Sequence, residues 1–178
     1  MAHRRVLVLG GARSGKSTFA EKLAGEYASV IYLATGQVTD DEMADRVRRH
    51  QASRPGNWTT VEEGYHPAEA IRSRGQRAEA VLVDCVSFLV SNHLLQDEEL
   101  FESRVALELE AMLALPCDII FVSNEVGMSV VPEYKLGRLF RDGLGRANQF
   151  LASRCDEVYV CWAGTPVDIK RLGVQQVE

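Results

Sequence analysis

The run Gly10-Gly11-Ala12-Arg13-Ser14-Gly15-Lys16-Ser17 constrains this chain more than any other feature. It matches the pattern G-x-x-x-x-G-K-[ST] and stands between an apolar run, Arg5-Val6-Leu7-Val8-Leu9, and a segment of helical pattern over residues 17–28. That context is what its chemistry requires. Glycines allow a tight turn in which successive backbone N–H groups face a phosphate, and the following helix adds the positive end of its dipole. Lys16 is placed to reach the outer phosphates, and the Ser17 hydroxyl to hold a magnesium ion bridging phosphate oxygens. The loop predicts binding of a nucleoside triphosphate and leaves kinase, ATPase and GTPase open.

Four further apolar runs share the character of the first: Val30-Ile31-Tyr32-Leu33, Ala80-Val81-Leu82-Val83, Ile119-Ile120-Phe121-Val122 and Val158-Tyr159-Val160-Cys161-Trp162. Each reads as a strand buried on both faces, and the intervening segments are mostly helical in pattern. Helices are expected over residues 17–28, 41–53, 98–115 and 134–154. The third carries Val105, Leu109, Met112 and Leu113 on one stripe before Pro116, and the fourth Leu136, Phe140, Ala147 and Leu151; both stripes should face the core. Gly143 and Gly145 weaken the last helix by about 1 kcal/mol each relative to alanine, which points to either a kink or a close backbone contact. Residues 72–79 read as a polar surface loop. The alternation predicts an α/β fold, a mainly parallel sheet with helices on both faces, in one domain spanning residues 1–178.

Composition narrows the partners. A formal charge of -5 without a basic tract argues against nucleic acid. Cys85, Cys117, Cys155 and Cys161 form no CxxC pair, so neither zinc nor disulfides are expected. The opening apolar stretch is too short for a signal peptide or a membrane span, so a cytoplasmic location without membrane insertion is expected.

Two further residues carry candidate chemistry. Asp84 directly follows a strand, the position of a second magnesium ligand in phosphate-loop proteins; a solvated strand-end acid is the plain alternative. On the helix expected from Asp41, Met43, Val47 and His50 fall on one face, so the imidazole looks inward while Arg46, Arg48, Arg49 and Arg54 bracket it. Guanidinium groups disfavour the imidazolium and a helix C-terminus favours it. Either His50 attacks phosphorus as a neutral nucleophile, or it packs at a helix end beneath a basic face.

The segments GGARSGKS (10–17), YLATGQ (32–37), DDEMADRVRRHQASRPGNW (40–58), VEEG (61–64), LVDCVSFLVSN (82–92) and SNEVGMSVVPEYKLGRLFRDGLGRANQ (123–149) together resemble the bifunctional adenosylcobinamide kinase/adenosylcobinamide-phosphate guanylyltransferase family. The resemblance spans nearly the whole chain. It implies a RecA-like P-loop NTPase fold, a homotrimer, and two reactions on one corrinoid. In the first, ATP or GTP phosphorylates adenosylcobinamide. In the second, the family's histidine, at the position of His50, takes GMP from GTP and passes it to adenosylcobinamide phosphate. By position, Ala34, Thr35, Gly36, Gln51, Ala52, Ser53, Arg54, Glu62 and Asp84 join the loop residues in holding guanine nucleotide, with Lys16 and His50 catalytic and Ser17 and Asp84 on Mg2+. Where some relatives carry paired histidines, this chain has Arg49 before a single His50. The loop Asn124-Glu125-Val126-Gly127 sits where substrate or subunit contacts would lie, or is an ordinary connection. The rival readings are a kinase for another small metabolite, without a covalent role for His50, and a nucleotide-gated binding or assembly protein.

Overall fold

The computed structural model describes residues 3–36, 55–74 and 78–173. The helix expected over 41–53 lies outside them. The five expected strands form β1 (Arg5–Gly10), β2 (Val30–Ala34), β4 (Ala80–Asp84), β5 (Asp118–Asn124) and β6 (Glu157–Trp162). Two strands not foreseen join them, β3 (Trp58–Glu62) and β7 (Thr165–Asp168). The sheet order is β3-β2-β4-β5-β1-β6-β7. All neighbours are parallel except β6 and β7, a hairpin whose last strand contains Pro166, which an edge position tolerates.

Alternate residues of the central strands enter two cores. Val6, Val8, Tyr32, Leu82, Ile120 and Val122 pack with Ala20 and Leu23 of α1 (Lys16–Ala24) on one face. Leu7, Leu33, Val83, Ile119 and Phe121 face the other side. There they meet α3 (Val86–Gln96), α4 (Phe101–Leu113) and α5 (Lys135–Arg154), while the short α2 (Pro67–Ser73) flanks α4. Two covered faces explain why the strands read as continuous apolar runs. α3 buries Leu89, Val90 and Leu94 but leaves Phe88 and Leu95 exposed, so its apolar residues do not mark a single buried face.

Several boundaries differ from expectation. α1 stops at Ala24 because the next residues swing the chain into β2, tied by the Tyr27 hydroxyl to Asp118 Oδ2 (2.9 Å) and by the Ala28 N–H to Glu79 Oε2 (2.8 Å). α4 starts at Phe101, where the Asp97 carboxylate accepts the N–H groups of Glu99 (3.0 Å) and Leu100 (3.1 Å). β6 is not buried on both faces: Tyr159 and Val160 are half-buried and Trp162 is exposed, because only β7 lies beyond it. Leu136 also departs from its expected core stripe and is exposed, whereas Ala147 and Leu151 are buried.

At the amino ends of the strands, polar groups close the sheet. The Arg5 guanidinium donates to the carbonyls of Leu113 (2.8 Å), Leu115 (2.8 Å) and Cys117 (2.5 Å), a cation on the C-terminal end of α4. Arg4 grips Glu157 with two bonds, Nε to Oε1 (2.6 Å) and Nη2 to Oε2 (3.0 Å), and Tyr159 Oη donates to the same carboxylate (2.6 Å).

Gly143 and Gly145 now separate. α5 runs unbroken through both. A Cβ on Gly143 would fall 2.4 Å from Cε2 of the buried Phe101 ring, while one on Gly145 would meet nothing within 4 Å. Gly145→Ala should therefore stabilise by about 0.5–1 kcal/mol through helix propensity. Gly143→Ala should destabilise by about 1–2 kcal/mol through overpacking. Urea melts of both variants check the opposite signs.

The Arg4 guanidinium holds the Glu157 carboxyl below its usual range, outweighing burial, with help from the Tyr159 hydroxyl. A lowered folded-state pKa gives stability that is complete above the unfolded value, about 4.3, and is lost as pH falls through the folded value. Glu157→Gln should cost about 1–2 kcal/mol at neutral pH. Urea melts in acid should show that difference shrinking below about pH 4.

Candidate active site

In the phosphate loop, Gly10 and Gly15 have a steric reason to be glycine, whereas a Cβ on Gly11 would meet nothing within 4 Å. A Cβ on Gly10, the last residue of β1, would lie 2.3 Å from Ser14 Oγ and 2.9 Å from the Cys161 carbonyl oxygen. Gly15 has φ +90°, and its Cβ would stand 3.2 Å from Gly164 Cα. Arg13 also has positive φ, 56°, at the exposed crest of the loop. The turn between β6 and β7 supports this loop: the Gly164 N–H donates to the Ser14 carbonyl at 2.9 Å.

α1 then begins at Lys16 with Gly15 as its N-cap, and among the described residues no side chain caps it. Its first amides therefore keep their donors for a ligand, with the dipole behind them. Lys16 Nζ rests on the Gly11 carbonyl oxygen at 3.3 Å, a long contact to a neutral acceptor. The Ser14 hydroxyl is buried without a partner among the described residues. Burial pushes the Cys161 thiol up, against the opposing pull of Lys16, so it stays protonated.

The strand order sets the rest of the edge. β5 separates β1 from β4, so Asp84 stands two strands from Gly10. The Tyr32 hydroxyl donates to Asp84 Oδ2. Thr35 clamps the next peptide, its hydroxyl donating to the Cys85 carbonyl (2.6 Å) and accepting the Cys85 N–H (2.8 Å). Thr35 was expected to touch nucleotide. Its N–H donates to the Asp84 carbonyl (3.2 Å) and its own carbonyl accepts from Asn92 Nδ2 (2.9 Å), so its polar groups are engaged in placing neighbours.

Ala34 is in register with both Asp84 and Glu62, which brings the ends of β2, β3 and β4 level. Asn92 Nδ2 also donates to the Gly64 carbonyl (3.0 Å), holding the loop after β3. Burial alone would raise the Glu63 carboxyl, but the N–H groups of His66 (3.0 Å) and Tyr65 (2.7 Å) hold it below its usual range. Glu63 is thus a loop cap, and its exposed neighbour Glu62 is the acid at the strand end.

The fold brings together Gly10, Gly11, Ala12, Arg13, Ser14, Gly15, Lys16, Ser17, Ala34, Thr35, Gly36, Glu62 and Asp84 at the carboxyl edge of one sheet. His50, Gln51, Ala52, Ser53 and Arg54 lie outside the described residues. The Ser17 hydroxyl and Asp84 carboxylate are hard oxygen donors, and Asp84 Oδ1 makes no hydrogen bond among the described residues. That donor set fits magnesium, which takes few protein ligands and fills its shell with phosphate and water. Tyr32, Asn92, Ser87, Asn148 and Gly164 were not singled out from sequence. The available signal was polarity inside apolar surroundings, as at Ser87 and Asn92 in Ser87-Phe88-Leu89-Val90-Ser91-Asn92.

Comparison with known proteins agrees with this arrangement. The most similar solved structures include one titled "Structural and biochemical analysis of a prototypical ATPase from the type III secretion system of pathogenic bacteria". It matches with TM-score 0.57 at 14% identity, covering 97% of this chain and 59% of that chain. This likeness concerns the fold, a RecA-like P-loop arrangement. The bifunctional adenosylcobalamin biosynthesis protein CobU of Escherichia coli (strain K12) is 41% identical, over 93% of this chain and 99% of the relative. Its counterpart CobP of Pseudomonas aeruginosa is 44% identical, over 93% of this chain and 97% of the relative. The model of the CobU family, described as cobinamide kinase / cobinamide phosphate guanyltransferase, matches residues 6–169. With its phosphate loop and its strand-end acids on one sheet edge, this chain belongs to the CobU family of cobinamide kinases and cobinamide phosphate guanyltransferases.

Proposed function

We propose that this protein phosphorylates adenosylcobinamide with ATP or GTP and then transfers GMP from GTP, through His50, to give adenosylcobinamide-GDP. The observation that carries this reading is the uncapped start of α1, with Lys16 and Ser17, on the same sheet edge as Asp84 and Glu62 in a chain of this family.

In the kinase step the loop amides and Lys16 hold the phosphates, Lys16 exchanging its contact with the Gly11 carbonyl for a phosphate oxygen. The acceptor hydroxyl oxygen attacks the terminal phosphorus, the bond to the bridging oxygen breaks, and the nucleoside diphosphate leaves while the hydroxyl proton passes to water. Ser17 and Asp84 would hold magnesium, which when bound neutralises charge on the phosphate oxygens. Tyr32 keeps the Asp84 carboxylate oriented, and Thr35 sets the peptide that follows it. In the second step a His50 ring nitrogen attacks the α-phosphorus of GTP and pyrophosphate leaves. An oxygen of the corrinoid phosphate then displaces the imidazole, so the P–N bond is exchanged for P–O. Glu62 is assigned to accept hydrogen bonds from a guanine edge, with Ala34, Gly36 and residues 51–54 around the nucleotide.

We further take the 178 residues, from their length, as one domain that acts in the cytoplasm, and as a homotrimer on the strength of the family resemblance. Among the described residues no helix is long and apolar enough to cross a membrane.

Two measurements test the reading. With magnesium and GTP labelled at the α-phosphate, and no corrinoid, denatured wild-type protein should retain acid-labile, alkali-stable label, and His50→Ala none. Wild type that binds GTP yet stays unlabelled would instead be a kinase without the transferase half. Tyr32→Phe keeps the ring beside Trp58 but removes the bond to Asp84. It should lower the kinase kcat about 5- to 10-fold, the equivalent of one hydrogen bond, with nucleotide KM little changed and more magnesium needed for half-maximal rate.

A further inference from the structure

Asn124, the last residue of β5, is held by an unusual share of the buried polar groups. Its N–H is accepted by Ser87 Oγ (3.0 Å), and its carbonyl accepts from Asn148 Nδ2 (3.0 Å). Asn148 Oδ1 in turn accepts from the Ser123 hydroxyl (2.6 Å), and the Glu125 N–H donates to the Gly10 carbonyl (3.1 Å). Ser87, Ser123 and Asn148 are all buried, so the backbone on either side of Asn124 is fixed from α3, α5 and β1. The Asn124 carboxamide, by contrast, is half-buried and has no hydrogen-bond partner among the described residues.

Alternation gives its direction. Ser123 points toward α5, where it meets Asn148, while Ile120 and Val122 belong to the core beneath α1. Asn124 therefore projects on the α1 face, the face from which Asp84 meets Tyr32. It pairs with Gly10 and lies one strand across and two residues beyond Asp84, whose partner is Val122. At ordinary sheet spacing its Cα is about 5 Å from Gly10 and about 8 Å from Asp84, which spans the gap between loop and acid. The neighbouring Glu125 is not a competitor for this place, because its carboxylate closes back on the Gly127 N–H at 2.5 Å.

We propose that Asn124 is a further catalytic residue of the kinase step, its Nδ2 donating to a terminal phosphoryl oxygen of the nucleotide held by the phosphate loop. The inference rests on the kinase half of the proposed function. A donor on a fixed backbone, aimed where charge gathers as the phosphoryl group moves from its bridging oxygen to the acceptor hydroxyl, needs no reorganisation during transfer.

The bonds that fix β5 use the Asn124 backbone, so removing the side chain leaves every one of them in place. A purely structural role thus predicts no effect from Asn124→Ala. We expect unchanged thermal melting, a kinase kcat lower by about 100-fold, and a nucleotide KM within about twofold of wild type. Asn124→Asp, equal in size but lacking the donor, should be no better. The assay uses the full chain with magnesium, ATP or GTP and adenosylcobinamide. An Asn124→Ala variant with wild-type kcat, or one changed only in nucleotide KM, overturns the assignment. A wild-type protein that does not phosphorylate adenosylcobinamide overturns the kinase reading itself, and the assignment with it.

Discussion

The parallel ladder joining β4, β5 and β1 is the constraint on which the rest depends. Strands of one polarity end on the same edge, and each connection between them must cross a face of the sheet. Both faces are therefore covered, the strand interiors are apolar, and polar function is left to the ends. Gly10, Asn124, Asp84, Ala34 and Glu62 are the carboxyl ends of five strands, and all five strands are contiguous neighbours running from β3 to β1.

Burial of polar groups follows the same geography. Among the described residues the buried polar side chains are Ser14, Thr35, Ser87, Asn92, His93, Ser123 and Asn148. Every one serves the carboxyl edge or the loops that rise from it; His93, for instance, bonds the Tyr65 carbonyl at 3.1 Å in the loop that follows β3. A buried polar group is costly unless paired, so such a concentration is tolerated where position must be exact to a fraction of an ångström. Among the described residues the Ser14 hydroxyl and His93 Nδ1 are buried without a partner, and Ser14 lies within the turn built to receive an anion.

The two ends of the sheet divide stability from chemistry. At the amino end, Arg4 and Arg5 satisfy carbonyls and carboxylates: Arg4 N–H meets Asp118 Oδ1 at 2.9 Å, Arg5 N–H meets Asp156 Oδ2 at 2.7 Å, and the Arg4 side chain pairs with Glu157. At the carboxyl end, among the described residues, Lys16 has only a distant carbonyl and the first turn of α1 has no side-chain cap. Groups that are already paired stabilise the folded chain, whereas donors left with weak partners keep their interaction energy for a ligand.

The sequence by itself determined the phosphate loop and five of the strands, because both are local: a glycine-rich turn with a lysine and a hydroxyl, and short apolar runs whose character needs no knowledge of their neighbours. It also marked Asp84 as a strand-end acid, while Glu62 came only from the family resemblance. The edge strands β3 and β7 were missed, since a strand covered on fewer sides carries a mixed pattern, as in Trp58-Thr59-Thr60-Val61-Glu62 and Thr165-Pro166-Val167-Asp168. Only the tertiary structure decided that β5 lies between β1 and β4, that Tyr32 holds Asp84 and Thr35 the Cys85 peptide, and that Asn124 is pinned from three elements. These contacts join residues 24 to 52 or more positions apart, and the choice among such pairings is made by how whole faces pack, which no local pattern records.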